Sequence, residues 1–395
     1  MISVSQARAI VLANAAPCEC ENVELRTALG RTLRQDVRSF RAQPPFRASA
    51  MDGYALRAID TPGVLQIIGE AGAGRALSGQ LRDGQCARIF TGAPLPAGAD
   101  SVLIQEDAVR DGELVTAPAV ELGRHVRSAG VDFAAGEVLL RAGAVLDAPA
   151  IALAAAAGQP SLVVSRKPRV AILSGGNELV APGLQPGDDQ IFDSMGVGIA
   201  ALAEQWGAHA TRVGPLADDA REIAEGITAT MSGHDLTIVV GGASVGDHDH
   251  ARPAVRDLGG ELFFEKVALR PGKPTWLARV GRHLILGLPG NPASAFVCAR
   301  LFLRPLLDQM CGRDSAASIR TVKARTRTPL SANGARETYM RAALETDETG
   351  QTWALAPARQ DSSLLSVFAG AQALILRTAD AAEAPAGAIV DVLAS

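Results

Sequence analysis

Between residues 169 and 310, short apolar runs alternate with amphipathic stretches, and this is the clearest pattern in the chain. Residues 169–173 and 236–240 are β-branched and apolar almost throughout, which suits strands buried on both faces of a parallel sheet. Helical patterns fall between them. Ile199, Leu202, Ala203 and Trp206 share one face behind a cap at Asp193 or Ser194. Ile223, Ala224 and Ile227 share another behind Asp219, which with Glu222 resembles a capping box. Residues 209–213 and 261–267 read as further strands, 250–258 as a helix, and 275–280 with 283–287 as a hairpin around Gly281-Arg282. Asn291-Pro292 places a proline after an N-cap and opens a long helix to about 310. Strands and helices alternating at this spacing predict βαβ units with right-handed crossovers.

On either side the period changes. Ser3 and Gln6 form a capping box for a helix over roughly 4–15, with Val4, Ala7, Ile10 and Val11 on one face. Residues 23–38 read as a strand or extended linker. In 44–55, Pro44-Pro45 forbids regular structure and Asp52-Gly53 signals a turn, either plain surface or an ordered loop presenting Asp52. Residues 64–140 are Gly-rich with apolar runs at 64–68, 86–90, 101–105 and 137–140, which predicts a small β barrel or sandwich. Thr91 ends one of these runs and either caps a turn or offers a hydroxyl to a ligand. Gly130-Val131-Asp132 is a surface turn or a further site acid. Residues 148–157 form an Ala-rich helix stopped by Gly158 and Pro160. After about 315, alternating runs at 321–327, 338–345, 353–356, 373–377 and 388–393 predict a separate all-β domain.

Composition narrows the class. A chain of 395 residues exceeds one ordinary core and implies two to four domains. A net charge of −4 and a pI of about 5.9 argue against nucleic acid or an anionic membrane as main partner. No stretch is long and apolar enough to span a bilayer, and residues 1–4 lack the parts of a signal peptide, so the cytoplasm is expected. The five cysteines are scattered, and Cys18-Glu19-Cys20 lacks the usual zinc partners, so they read as free thiols.

Two Gly-rich stretches follow buried strands: SGGNE at 174–178 and GGASVGDHD at 241–249. Backbone N–H groups there, around Gly241, Gly242, Ser244 and Gly246, can approach phosphate oxygens. Glu178, Asp218 and Asp249 suit Mg²⁺ among phosphates. Lys266, Arg270 and Lys273 add positive charge, the last two aimed by Pro-Gly turns, and Ser294 lies in the first turn of a helix, where an anion is favoured. Singly, each has a plainer reading: Asp218 as a helix N-cap, Lys266 as a solvated strand-end charge. The GxGxxA match at 196–201 lies within a helical pattern and follows too short a strand, so it is no dinucleotide site. No GxxxxGK[ST] occurs. His248 and His250 read as a solvated pair rather than a zinc site.

Together with SAMDGYA (49–55), TGAPLP (91–96), RPGKP (270–274) and LPGNPAS (288–294), the GGASVGDHD stretch resembles the molybdopterin molybdenumtransferase (MoeA) family, which includes the E domain of gephyrin. The motifs keep the family's order over essentially the whole chain. The resemblance implies a multidomain α/β plus β fold. Its parts are an elongated bridging domain (1–40 and 140–166), an inserted β-rich domain (41–139), a central parallel-sheet α/β domain similar to molybdopterin adenylyltransferases (167–314), and a C-terminal β-barrel-like domain (315–395). It implies the last step of molybdenum cofactor biosynthesis, in which adenylated molybdopterin and molybdate react with Mg²⁺ to give cofactor and AMP. By the family pattern, Arg270, Lys273, Pro274, Ser294, Arg341 and Ser362 hold molybdate. Asp218 and Asp249 bind Mg²⁺ or activate the pyrophosphate, while Thr91, Glu178, Lys266 and the glycine loop bind substrate. Asp52, Asp218, Asp249 and Lys273 are the implied catalytic groups. Asp52 and Thr91 reach the site from the other subunit, which implies an obligatory homodimer. A molybdopterin adenylyltransferase and molybdoenzyme acceptors follow as partners.

Two departures stand out. Arg270 replaces a usual lysine, giving a planar fork in place of a point charge. SGGNE replaces STGDE, so Asn177 stands where an acid is usual. Two other functions compete. Adenylyl transfer to molybdopterin fits the α/β domain alone but not the four-part architecture. A receptor scaffold of the gephyrin kind lacks a long low-complexity linker and a fused second catalytic domain here.

Overall fold

The structure, a computed structural model, describes residues 1–242 and 250–394. Ser244, Gly246 and Asp249 therefore lie outside the described residues. The chain forms two compact units: 1–21, 30–34 and 164–395 make the first, and 22–29 and 35–163 the second. The fold is multidomain α/β plus β. Among the described residues no helix is long and apolar enough to cross a membrane.

The first unit is built on a six-stranded sheet. From edge to edge it runs His209–Leu216, Arg169–Gly175, Leu236–Val240, His283–Leu288, Trp276–Val280 and Glu261–Phe264. The first four strands are mutually parallel, and Trp276–Val280 opposes both of its neighbours, as the expected hairpin requires. Leu236–Val240 is buried at all five positions. Leu236, Ile238 and Val240 face a core shared with Ile199, Ala203 and Phe302, while Val239 faces another with Ile223 and Ile227. Burial on both faces is why this strand is uniformly apolar rather than alternating.

Helices Ser194–Gln205 and Ala220–Met231 start where their caps predict. Asp193 accepts from the Gly196 N–H, and Asp219 from those of Arg221 and Glu222. The full capping box at Asp219 does not form, because the Glu222 carboxylate accepts from Ala217 N instead. The strand expected over 261–267 ends at Phe264. The first helix is Val4–Ala13, with its capping box present, and ends two residues early where Asn14 Nδ2 donates to the Ile10 carbonyl. The long helix expected from Asn291 to 310 is broken. Pro292–Cys298 and Arg304–Met310 are α-helical, and Ala299–Leu303 is a wider π turn. Pro305 explains this, since its ring displaces the carbonyl four residues back and offers no N–H to it.

The C-terminal region of this unit closes into a five-stranded barrel of Glu337–Thr346, Thr352–Leu355, Val322–Thr326, Ile389–Ala394 and Ala373–Arg377. The short strand Leu269–Arg270 of the α/β region adds to it, parallel to Glu337–Thr346.

The second unit holds a six-stranded mixed sheet in the order Ser101–Ile104, Gly53–Leu56, Gln85–Ile89, Gly63–Ala71, Leu114–Ala117 and Val109–Asp111. It is an open sheet with an apolar core on each face rather than a barrel or sandwich. The stretch expected to be irregular corrects most. Ala48–Ser49 and Gly53–Leu56 are strands, and the latter is buried throughout between two neighbours. Pro44 and Pro45 act only on the residues before it. Gly53 is no turn residue but a close-contact one, since a β-carbon there would collide with the Leu103 carbonyl oxygen. The stretch expected as strand or linker over 23–38 contains a helical turn, Leu25–Thr27, and the strand Val37–Arg38, which pairs with Val138–Leu140.

Candidate active site

The carboxyl ends of the four parallel strands of the first unit open on a cleft of about 630 Å³. Ligands of open α/β sheets bind at such ends. Gly175, Gly176, Glu178, Asp218, Gly241, Gly242, Pro274 and Asn291 are among its lining residues. Glycine lets the loops meet. At Gly241, φ is +86° and a β-carbon would strike the Gly175 carbonyl oxygen. Asp218 is held by a reciprocal pair of bonds. Asn177 N donates to Asp218 Oδ2 at 3.3 Å, and Asp218 N donates to Asn177 Oδ1 at 3.1 Å. The carboxamide of Asn177 thus accepts as a carboxylate would, without a second negative charge beside Asp218.

A second cleft, about 590 Å³, lies between the α/β region and the barrel of the same unit. Arg270, Lys273, Pro274, Ser294 and Ser362 all line it, and Pro274 lines both clefts. Strand register sets Arg270 beside Thr338. Gly272 packs so closely on Cys298 that a β-carbon would strike its sulfur, which fixes the turn carrying Lys273. Ser294 is buried near the start of Pro292–Cys298. Ala293 N donates to the Ser362 carbonyl at 2.9 Å, and Asn291 Nδ2 to Ser362 Oγ at 3.2 Å. Ser362 is thereby tied to the start of the helix that carries Ser294. Asn291 spends its side chain on this link and does not cap its own helix.

Arg341 is placed differently. It is 1% exposed, and its guanidinium donates to Gln360 Oε1 and to the Leu364 carbonyl, each at 3.2 Å. Burial pushes it below the usual arginine value. It braces the loop that carries Ser362. Lys266, half-buried, lines neither cleft among the described residues.

In the second unit Asp52 and Thr91, far apart in sequence, are bonded. The Thr91 amide donates to Asp52 Oδ1 at 2.7 Å and the Thr91 hydroxyl to the same oxygen at 2.8 Å. These two bonds, amide first, and then the charge of Arg88 hold the Asp52 carboxyl below the usual aspartate value. The Arg88 guanidinium lies over the Tyr54 and Phe90 rings and bonds the Gly53 carbonyl and Gln105.

Sequence reasoning missed Arg88, Arg336 and Arg377, of which the last two line the second cleft, and it read Asn291 as a helix cap rather than as a partner of Ser362. Register could have raised Arg377, since it stands opposite Thr338 on the side away from Arg270. Among the described residues no group of three or more His, Cys, Asp or Glu side chains is placed to hold a metal by itself.

The chain is similar to known proteins along most of its length. Residues 2–158 match the MoeA N-terminal region (domain I and II), 171–309 a probable molybdopterin binding domain, and 323–394 the MoeA C-terminal region (domain IV). A molybdopterin molybdenumtransferase of Nostoc sp. is 37% identical over 82% of this chain and 76% of its own length. Molybdopterin molybdenumtransferase 1 of Mycobacterium tuberculosis is 30% identical over 99% of this chain and 98% of its own. A molybdopterin biosynthesis MoeA protein of Pyrococcus horikoshii superposes with a TM-score of 0.84 at 25% identity, covering 100% of both chains. On these matches the chain belongs to the molybdopterin molybdenumtransferase (MoeA) family and is a transferase of molybdenum cofactor biosynthesis.

Proposed function

We propose that the protein inserts molybdenum from molybdate into adenylated molybdopterin, with Mg²⁺, and releases AMP. The observation that carries this reading is that Pro274 lines both clefts. One has glycine loops and carboxylates suited to a pyrophosphate, the other cations and hydroxyls suited to a tetrahedral oxyanion. Ligands held in the two clefts would meet at that residue. The glycine-loop amides hold the phosphates, and Arg270, Lys273, Pro274, Ser294 and Ser362 hold molybdate, with Arg341 bracing the loop that carries Ser362. Lys266 and Asp249 complete the substrate site on the family pattern.

The donors fit Mg²⁺. Glu178 and Asp218 present hard carboxylate oxygens in the first cleft, and this ion is usually held by one or two carboxylates together with substrate phosphates. Bound there, it would neutralise charge on the pyrophosphate that is cleaved. Asp52 and Thr91 act on the cleft of a partner copy, so the working form is a homodimer. The setting is the cytoplasm, with a molybdopterin adenylyltransferase upstream and molybdoenzymes downstream, and neither nucleic acid nor membrane takes part.

The test is AMP release from adenylated molybdopterin with Mg²⁺, with and without molybdate. Wild type should release AMP in a molybdate-dependent way. Asp218→Asn should lower the rate at least a hundredfold, and Lys273→Ala should raise the molybdate requirement at least tenfold. No release from folded protein, or pyrophosphate release from ATP and molybdopterin instead, would sink the reading in favour of adenylyl transfer.

A further inference from the structure

Among the described residues the second cleft is lined by four cationic side chains, Arg270, Lys273, Arg336 and Arg377, and one carboxylate, Asp361. That carboxylate is turned to its own loop, where its Oδ1 accepts from the Ser363 amide and hydroxyl. Arg377 is the buried member, 8% exposed. Its Nη2 donates to the Ser331 carbonyl at 3.1 Å and to the Ala382 carbonyl. Its Nε is buried and, among the described residues, donates to nothing. Among the described residues no acid pairs with it. A buried charge that meets only neutral carbonyls and keeps one donor idle is an expensive arrangement, unless a ligand completes it.

Register shows where that ligand would sit. Arg270 is paired with Thr338 across one strand boundary, and Thr338 with Arg377 across the next. Residues in register on adjacent strands share a face, so Arg270, Thr338 and Arg377 form a row with the two arginines about 10 Å apart. Thr338 is fixed in that row, since its hydroxyl donates to Asn333 Oδ1 at 2.9 Å while Asn333 Nδ2 holds the Arg377 carbonyl at 3.1 Å.

We propose that Arg377 is an oxyanion-binding residue of this cleft, closing on a tetrahedral dianion from the side opposite Arg270 and Lys273. The inference rests on the molybdate reading given above. Arginine suits the place because its planar fork can serve a carbonyl and an anion together.

The test is calorimetric titration of the full chain with molybdate, tungstate, sulfate and phosphate, for wild type, Lys273→Ala and Arg377→Gln. Glutamine keeps a donor for the Ser331 carbonyl and removes the charge. Arg377→Gln should weaken molybdate at least tenfold while affinity for adenylated molybdopterin stays within twofold. A loss confined to molybdate and tungstate assigns the metal oxyanions, and one shared with sulfate and phosphate assigns tetrahedral dianions in general. Either supports contact by Arg377. Folded Arg377→Gln with wild-type affinity overturns the inference and leaves the molybdate reading standing, provided Lys273→Ala is weakened. Wild type that binds no oxyanion ends both. Should the glutamine variant not fold, amide exchange of wild type decides. Molybdate should slow exchange around Ser331 and at 373–377. Slowing at 270–274 alone would overturn the inference.

Discussion

Asp52 carries two donors on one oxygen, and both come from Thr91. A hydroxyl and an amide on the same carboxylate oxygen favour its ionised form and fix its direction, so the pair behaves as one preset anion. Thr91→Val separates the two contributions, because the hydroxyl bond goes and the amide bond stays. The Asp52 pKa should then rise toward the ordinary carboxylate range while remaining below it. If Asp52 works ionised, the acid limb of AMP release should move to higher pH, so the rate should fall more below about pH 4 than it does at pH 8. Carbon-13 titration of the Asp52 carboxyl beside the pH–rate profile checks both parts. An unmoved pKa would show that the amide alone sets it. The thiols make a contrast. Burial pushes Cys18 and Cys298 up to about 12, which keeps them protonated and inert as nucleophiles.

Close approach between backbones governs the strand Gly53–Leu56. The neighbouring strand Ser101–Ile104 leaves no room for a side chain at the first position, where a β-carbon would meet the Leu103 carbonyl. Gly53→Ala should therefore destabilise the second unit by about 1–3 kcal/mol, the usual range for overpacking a filled site. Scanning calorimetry would register this as a lower melting transition, and an unchanged one would mean that Leu103 yields easily. The same strand shows what sequence can and cannot tell. Leu236–Val240 was legible because burial on both faces leaves an uninterrupted apolar run, and Asp193 and Ser3 were legible because caps act within three residues. Gly53-Tyr54-Ala55-Leu56 is too short and too close to Pro44-Pro45 for its pattern to overrule the turn signal of Asp52-Gly53. The bonds of Asn291 to Ser362, and the row Arg270–Thr338–Arg377, depend on chain segments that meet only after folding. No local period encodes them. The family motifs contain Gly241, Gly242, Arg270, Lys273, Pro274 and Ser294, which line the clefts, whereas Arg377, at the end of a plain apolar strand, lies in none of them.

At the scale of the molecule, the groups assigned to the reaction divide between the two compact units. The clefts belong to the first, and the Asp52–Thr91 pair to the second. If that pair serves the cleft of a partner copy, two different defects must complement each other. Asp52→Asn leaves a sound cleft with a defective donor, and Asp218→Asn leaves the reverse. Each homodimer should be inactive. Mixing equal amounts under conditions that exchange subunits makes half of the dimers mixed. In a mixed dimer one site joins the sound cleft to the sound Asp52, and the other joins the two defects. Recovered AMP release should therefore approach about one quarter of wild type, the share fixed by twofold symmetry. Were Asp52 to act within its own chain, no site in any mixed dimer would be whole, and mixing would recover nothing. Sedimentation of the wild type sets the prior condition, because a monomer that retains full activity would remove the need for a partner copy.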